Sequence, residues 1–270
     1  MHDNRRLAMS AIVVFDIDGV IRDVGGSYRR ALADTVMEFT NGGHRPTELE
    51  IDKLKGEGIW NNDWEGSQEL IYRYFESQGR DRSTLMLDYD RIVAYFQTKY
   101  RGTDPINWNG YICDEPLLVT SEYFASLTAA SIPWGFFSGA TQGSARYVLE
   151  RRLGLTAPIL VAMEDAPGKP DPHGLFMTVE KLSAVSEQTQ TMPIVYVGDT
   201  VADMHTVIKA RIAQPQRQFM GVGVLPPHIH GDIDRVREYT ASLIKAGATV
   251  VLDRTLDLTP GSIVGSIMNF

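Results

Sequence analysis

The 270-residue chain predicts an α/β fold: a doubly wound parallel sheet, with an α-helical subdomain inserted after its first strand. Three observations carry this expectation. Short, continuously apolar runs bounded by Gly, Pro or Asp recur along the chain, as strands covered on both faces do. Amphipathic helical patterns alternate with them, which is the signature of parallel pairing. The interval 24–111 interrupts the alternation with helical faces and no strand run.

The first strand is "AIVVF", at 11–15. In the insert, Tyr28, Leu32, Val36 and Phe39 mark one helical face, and Leu70, Ile71, Tyr74 and Phe75 mark a second. Ile92, Val93, Tyr95 and Phe96 mark a third, and a weaker helix is expected at 48–55. The remaining strands are expected at 132–137, 158–162, 193–197, 219–224 and 248–252. Helices fall at 122–130, 144–152, 174–182, 202–210 and 233–246. The core is therefore expected at 1–23 with 112–270, and the helical insert at 24–111.

Composition narrows the class. A hydrophobic share of 43% and a charged share of 22% are those of a globular protein and exclude disorder. The net charge of −8 argues against nucleic-acid and anionic-membrane partners, but leaves a small anionic substrate open. The single cysteine, Cys113, cannot form an internal disulfide, which fits a reducing compartment. A buried apolar place beside Ile112 is the better reading of it than a reactive thiol. Arg5 and Arg6 precede an apolar run as in a secretion signal, but Asp16 cuts that run short and no cleavage site follows. No apolar stretch approaches the length of a membrane span, so a cytoplasmic protein is expected.

The chemistry gathers where strands end. "VVFDIDGVI" places Asp16 and Asp18 just past the first strand, followed by Gly19. The second strand leads to Ser138, the third to Lys169 in "GKPDP", and the fourth to Asp199 and Asp203 in "GDTVAD". In a parallel sheet these C-terminal ends converge on one edge, where ligands bind. Each residue also has an ordinary structural use. Asp199 could cap a helix, Asp203 could complement its dipole, Ser138 could sit in a turn, and Lys169 could be solvated. Taken together they predict more, because carboxylates crowded at one edge repel unless a hard cation with oxygen ligands lies between them. Mg²⁺ is the cation expected. Backbone N–H groups from Ile17 to Gly19 can form an anion nest, the Ser138 hydroxyl can donate to a phosphoryl oxygen, and Lys169 can add positive charge. Asp16 is then placed to attack phosphorus, and Asp18 to act as general acid and base.

"DIDGV", the serine after an apolar strand, "GKPDP" and "GDTVAD" stand in the order and spacing of the haloacid dehalogenase superfamily, which the chain resembles over nearly its whole length. The resemblance implies a Rossmann-like core with a type-one helical cap that closes over the site and favours small substrates. It implies Asp16 as the nucleophile of an aspartyl-phosphate and Asp18 as the acid/base. Ser138, Gly139 and Lys169 would hold the phosphoryl group, although many relatives carry Asn where this chain has Gly139. Asp16, Asp199 and the Asp18 backbone carbonyl would hold Mg²⁺, and Asp203 would complete the site directly or through water. Members that dehalogenate lack an acid at the place of Asp18, so the chain is expected to transfer phosphoryl groups.

Weaker features have competing readings. "GVGV" at 221–224 lacks the third glycine of a dinucleotide fingerprint and reads as strand. His228 and His230 have no ligand cluster beside them and read as a loop, not a zinc site. In the loop "KGEGIWNNDW", Lys55, Asn62 and Trp64 are candidate substrate contacts. Alternatively, Trp60 and Trp64 staple the helices while Asn61, Asn62 and Asp63 cap the next one. The function expected is a phosphatase of a small phosphorylated metabolite, such as phosphoglycolate or a sugar phosphate. A phosphosugar mutase is the runner-up, and a non-catalytic binding module comes third.

Overall fold

The computed structural model describes residues 11–60, 62–184, 189 and 191–267, so Arg5, Arg6 and Asn61 lie outside the described residues. Six strands form one sheet: β1 (Ile12–Phe15), β2 (Trp134–Phe137), β3 (Leu160–Val161), β4 (Ile194–Gly198), β5 (Phe219–Val224) and β6 (Val250–Leu252). Their order is β3-β2-β1-β4-β5-β6, and every pair is parallel. The apolar runs have a plain cause in β1. Val13 and Phe15 pack into one core with Phe124, Phe136 and Leu149, while Ile12 and Val14 pack into another with Leu175, Val179 and Tyr196. Alternate side chains point to opposite faces, and both faces are covered, so no polar alternation survives. At the edge, Val250 of β6 is exposed, and the strand is shorter than its apolar run suggests.

Two compact units divide the chain, one being Asp23–Pro116 and the other the remainder. The first contains α1 (Arg30–Phe39), α2 (Glu48–Gly56), α3 (Asp63–Ser77) and α4 (Tyr89–Tyr100). Leu32, Val36, Leu70, Ile71, Ile92 and Phe96 are buried in it, and Tyr28 stacks on Tyr100 with ring centroids 4.0 Å apart. The α2 start is a capping box, with Thr47 and Glu50 each bonding the other's backbone N–H. This unit runs past residue 111, because Ser27 donates to the buried Glu115 carboxylate and ties the turn Tyr111–Asp114 to its own first residues.

The other unit carries α5 (Ser121–Ala129), α6 (Gln142–Arg146), α7 (His173–Ser183), α8 (Val201–Ala213), α9 (Ile233–Lys245) and α10 (Pro260–Ile267). The helix expected at 144–152 begins two residues earlier, where Thr141 accepts from the Ser144 N–H, and becomes a π-helical turn at Tyr147–Arg152. The α10 helix escapes the sequence reading, although Thr259 bonds the Ser262 N–H and Pro260 stands at its first position, both ordinary helix-start signals. Across the sheet, Phe15 lies opposite Phe136 and Val197. The residues that follow these three strands therefore emerge at one level.

Candidate active site

β1 ends when the Asp16 N–H donates to the Val197 carbonyl at 2.8 Å. The chain then turns sharply, with the Val20, Ile21 and Arg22 N–H groups all directed at the Ile17 carbonyl. Gly19 sits in this turn at φ +73°, and a Cβ there would overlap the Asp199 carboxylate. Only glycine meets both demands.

Lys169 forms the centre of the site. Its ammonium lies 2.8 Å from Asp16 Oδ2 and 2.6 Å from Asp203 Oδ1, and its side chain is 2% exposed. The Phe137 and Tyr196 rings flank it, each with its centroid 5.5 Å from Nζ. Lys169 is thus no solvated surface charge. Asp203 is wholly buried with every acceptor direction used. Oδ1 accepts from Lys169 and from the Tyr196 hydroxyl, at 2.6 and 3.0 Å. Oδ2 accepts from the Thr200 N–H at 2.9 Å and from its hydroxyl at 2.6 Å. The same residue therefore completes a capping box at the start of α8, with Thr200, not Asp199, as the cap.

One oxygen each from Asp16, Asp199 and Asp203 lies within 4.8 Å of the others. Burial pushes the Asp16 carboxyl up to about 7 against the pull of Lys169, with repulsion from Asp203 and Asp18 added. Burial also raises Asp199 well above the usual carboxylate range, helped by Asp203 and Asp16. Lys169 goes the other way: burial disfavours its charge, but Asp16 and Asp203 outweigh that and raise it. Asp16 Oδ1 is buried with no hydrogen-bond partner among the described residues. An orphaned carboxylate oxygen beside a second buried acid fits a hard divalent cation with oxygen ligands. Asp16 and Asp199 are the residues able to ligate it directly, because Asp203 has committed both oxygens to the protein.

The Ser138 hydroxyl oxygen accepts from the Ala140 N–H at 3.1 Å, which leaves its own proton to donate. Ser138 is buried and Gly139 beside it half-buried. The Asp18 side chain stands outside the buried triad, on Arg22. Arg22, Tyr196 and Thr200 were not found from sequence. Thr200 could have been, since Thr-x-x-Asp before an apolar run is a capping pattern. Tyr196 is hidden in an apolar strand, and no spacing marks Arg22.

The loop between α2 and α3 is bound within its own unit. Lys55 lies 2.8 Å from both Asp63 Oδ1 and the Trp60 carbonyl, and Trp60 donates to Glu57. Asn62 caps α3 by accepting from the Trp64 N–H at 2.9 Å. Asn62→Ala is therefore expected to cost about 1 kcal/mol of stability, the usual loss for a helix cap, read as a lower urea midpoint. An unchanged midpoint would deny the cap its importance. Elsewhere, Cys113 is half-buried with its thiol 3.0 Å from the Trp108 carbonyl, and "GVGV" lies within β5. His228 lies in a short turn, with His230 just after it. Among the described residues no helix is long and apolar enough to cross a membrane.

Comparison with known proteins agrees with this geometry. A model of the haloacid dehalogenase-like hydrolases matches residues 11–210. The chain belongs to that family. It is also 26% identical over 260 residues to an imidazoleglycerol-phosphate dehydratase of Phytophthora nicotianae, covering 92% of this chain and 52% of that protein. The chain thus spans about half the length of that curated relative. Among solved structures, a Lactobacillus delbrueckii subsp. bulgaricus protein ascribed phosphoglycolate phosphatase activity superposes with a TM-score of 0.63 at 15% identity, over 95% of this chain and 99% of its own. A Thermotoga maritima protein ascribed β-phosphoglucomutase activity gives 0.54 at 17% identity, over 96% and 99%. At such identities these likenesses establish the fold of this hydrolase.

Proposed function

We propose that this hydrolase is a Mg²⁺-dependent phosphomonoesterase of a small phosphorylated metabolite, working through an aspartyl-phosphate on Asp16. The observation that carries the reading is Asp16 itself. It is a buried carboxylate with one oxygen on Lys169 and the other without a partner among the described residues, beside a second buried acid. A purely structural aspartate would have both oxygens satisfied, as Asp203 does.

In this reading Asp16 attacks phosphorus, and the bond to the leaving oxygen breaks as Asp18 gives that oxygen a proton. Water then attacks the phosphorus of the aspartyl-phosphate, Asp18 takes up its proton, and Asp16 is released with phosphate. Ser138 donates its hydroxyl proton to a phosphoryl oxygen, and Lys169, already between Asp16 and Asp203, supplies charge that need not be recruited. Asp16, Asp199 and the Asp18 carbonyl would hold Mg²⁺, with Asp203 acting through its hold on Lys169. When bound, the cation would reduce repulsion between the Asp16 carboxylate and the phosphate dianion.

Of the loop residues, Lys55 and Asn62 already serve their own unit, so Trp64 is the one we assign to the leaving group. Trp64→Ala is expected to lower kcat/KM on the metabolite about tenfold or more, with p-nitrophenyl phosphate changed less than about twofold. Equal losses on both would remove Trp64 from the substrate site.

The similarity to half of a Phytophthora imidazoleglycerol-phosphate dehydratase adds imidazole-bearing alcohol phosphates to phosphoglycolate and sugar phosphates as candidates. A panel of these, assayed for free phosphate with Mg²⁺, tests the reading. Phosphate release supports it. Isomerised sugar phosphate without free phosphate would establish a mutase, and silence across the panel would favour a binding module.

A further inference from the structure

Beneath Asp18 lies a buried arginine with no part in the proposed chemistry. Arg22 Nε donates to Asp18 Oδ1 at 2.6 Å, and Nη2 lies 2.6 Å from the same oxygen. The Arg22 side chain is 0% exposed and that of Asp18 27%. Backbone contacts set the spacing between them. The Gly19 N–H donates to the Arg22 carbonyl at 2.9 Å, and Arg22 bridges to Asp18 on one side and to Leu117 on the other. The preceding residues Val20 and Ile21 are wholly buried as well. Burying an arginine is expensive. An acid at the surface does not need one.

The geometry points to Arg22 as a positioning residue that clamps Oδ1 of Asp18, so that Oδ2 is the oxygen that gives the leaving group its proton. The inference rests on the phosphatase reading, in which Asp18 is the acid. In a neutral carboxyl group the carbonyl oxygen accepts and the hydroxyl oxygen donates. With Oδ1 held by the guanidinium, Oδ2 is the oxygen left to exchange a proton in the reaction. After transfer the carboxylate is still held, and the same oxygen can accept a proton from water without a rotamer change. Without the clamp, the half-exposed side chain would divide its time among staggered rotamers, and misplacement by about 1 Å costs about 100-fold in rate. The competing view is that Arg22 only stabilises the fold.

Leaving-group chemistry separates the two. Expelling an alkoxide needs the proton, whereas expelling p-nitrophenolate hardly does. The full-length chain with Mg²⁺ is assayed as wild type, Asp18→Asn, Arg22→Met and Arg22→Lys, comparing kcat/KM on an alkyl phosphate and on p-nitrophenyl phosphate. Asp18→Asn should lose about 100-fold more on the alkyl ester than on the aryl ester, the scale of general acid catalysis. Arg22→Met should show the same bias, about tenfold or more. Arg22→Lys, which keeps charge but not the fork, should recover part of it. If Asp18→Asn shows the bias while both Arg22 variants lose equally on the two esters, Arg22 is structural and the inference is overturned alone. If Asp18→Asn shows no bias, the acid role in the phosphatase reading fails first and takes the inference with it. Where Arg22→Met does not fold, Arg22→Lys decides: a residual alkyl bias supports the clamp, and equal losses reject it.

Discussion

Asp16→Asn is expected to lower phosphate release by about 10⁴-fold or more, the scale on which removal of a covalent nucleophile acts. An amide of the same shape cannot form the acyl phosphate, and the fold has little reason to suffer, because Lys169 keeps its 2.6 Å contact with Asp203. Stability should change in the opposite direction to activity. The Asp16 carboxyl is pushed up to about 7 from an ordinary 3.8. Between those values the folded state binds a proton that the unfolded state does not. The contribution of Asp16 is thus full below about pH 4 and is lost as pH rises through about 7. In chelator, wild type should lose about 2.5 kcal/mol between pH 5 and pH 8 from this residue, which the asparagine variant should retain. Urea midpoints at the two pH values measure this. Retention of a tenth of wild-type turnover would exclude the covalent route, and parallel pH profiles would exclude the burial of an ionising Asp16.

Removal of divalent metal should be nearly as severe, silencing the enzyme by about 100-fold or more, with Mg²⁺ restoring it and Ca²⁺ restoring it poorly. Burial and neighbouring carboxylates raise both Asp16 and Asp199, with Asp203 acting on each, so without a cation they resist carrying charge. Ca²⁺ accepts a looser and larger shell than Mg²⁺ and would leave Asp16 and phosphorus misaligned. Binding has its own readout. Mg²⁺ should raise the Tm of wild type, and Asp199→Asn should remove most of that rise. Full turnover in excess chelator, or an undiminished Mg²⁺ shift in Asp199→Asn, would sink the assignment.

Much of the fold was legible because β1, β2, β4 and β5 are covered on both faces. Such strands read as unbroken apolar runs ending in Gly, Asp or Ser, whatever their partners. The edge strands were legible only approximately: β3 keeps two residues of a five-residue run, since an edge has pairing on one side only. The helical insert was visible through its faces, but its return boundary was not. That boundary depends on Ser27 reaching Glu115, a contact 88 residues apart in sequence.

The sequence by itself determined the alternation of strand and helix, the insertion after β1, and the set Asp16, Asp18, Ser138, Lys169, Asp199 and Asp203 at strand ends. These follow from local rules, since periodicity and turn residues act over a few positions. Tertiary structure alone decided how that set is divided. It tied Asp203 to Lys169, Tyr196 and Thr200, left one Asp16 oxygen without a partner among the described residues, and drew Asp18 away to a buried Arg22. The capping box could be read in the sequence, but the other partnerships could not. They depend on which groups share a dry space of a few ångströms, where an unpaired charge is expensive and each available donor matters. Only the packed chain fixes that neighbourhood.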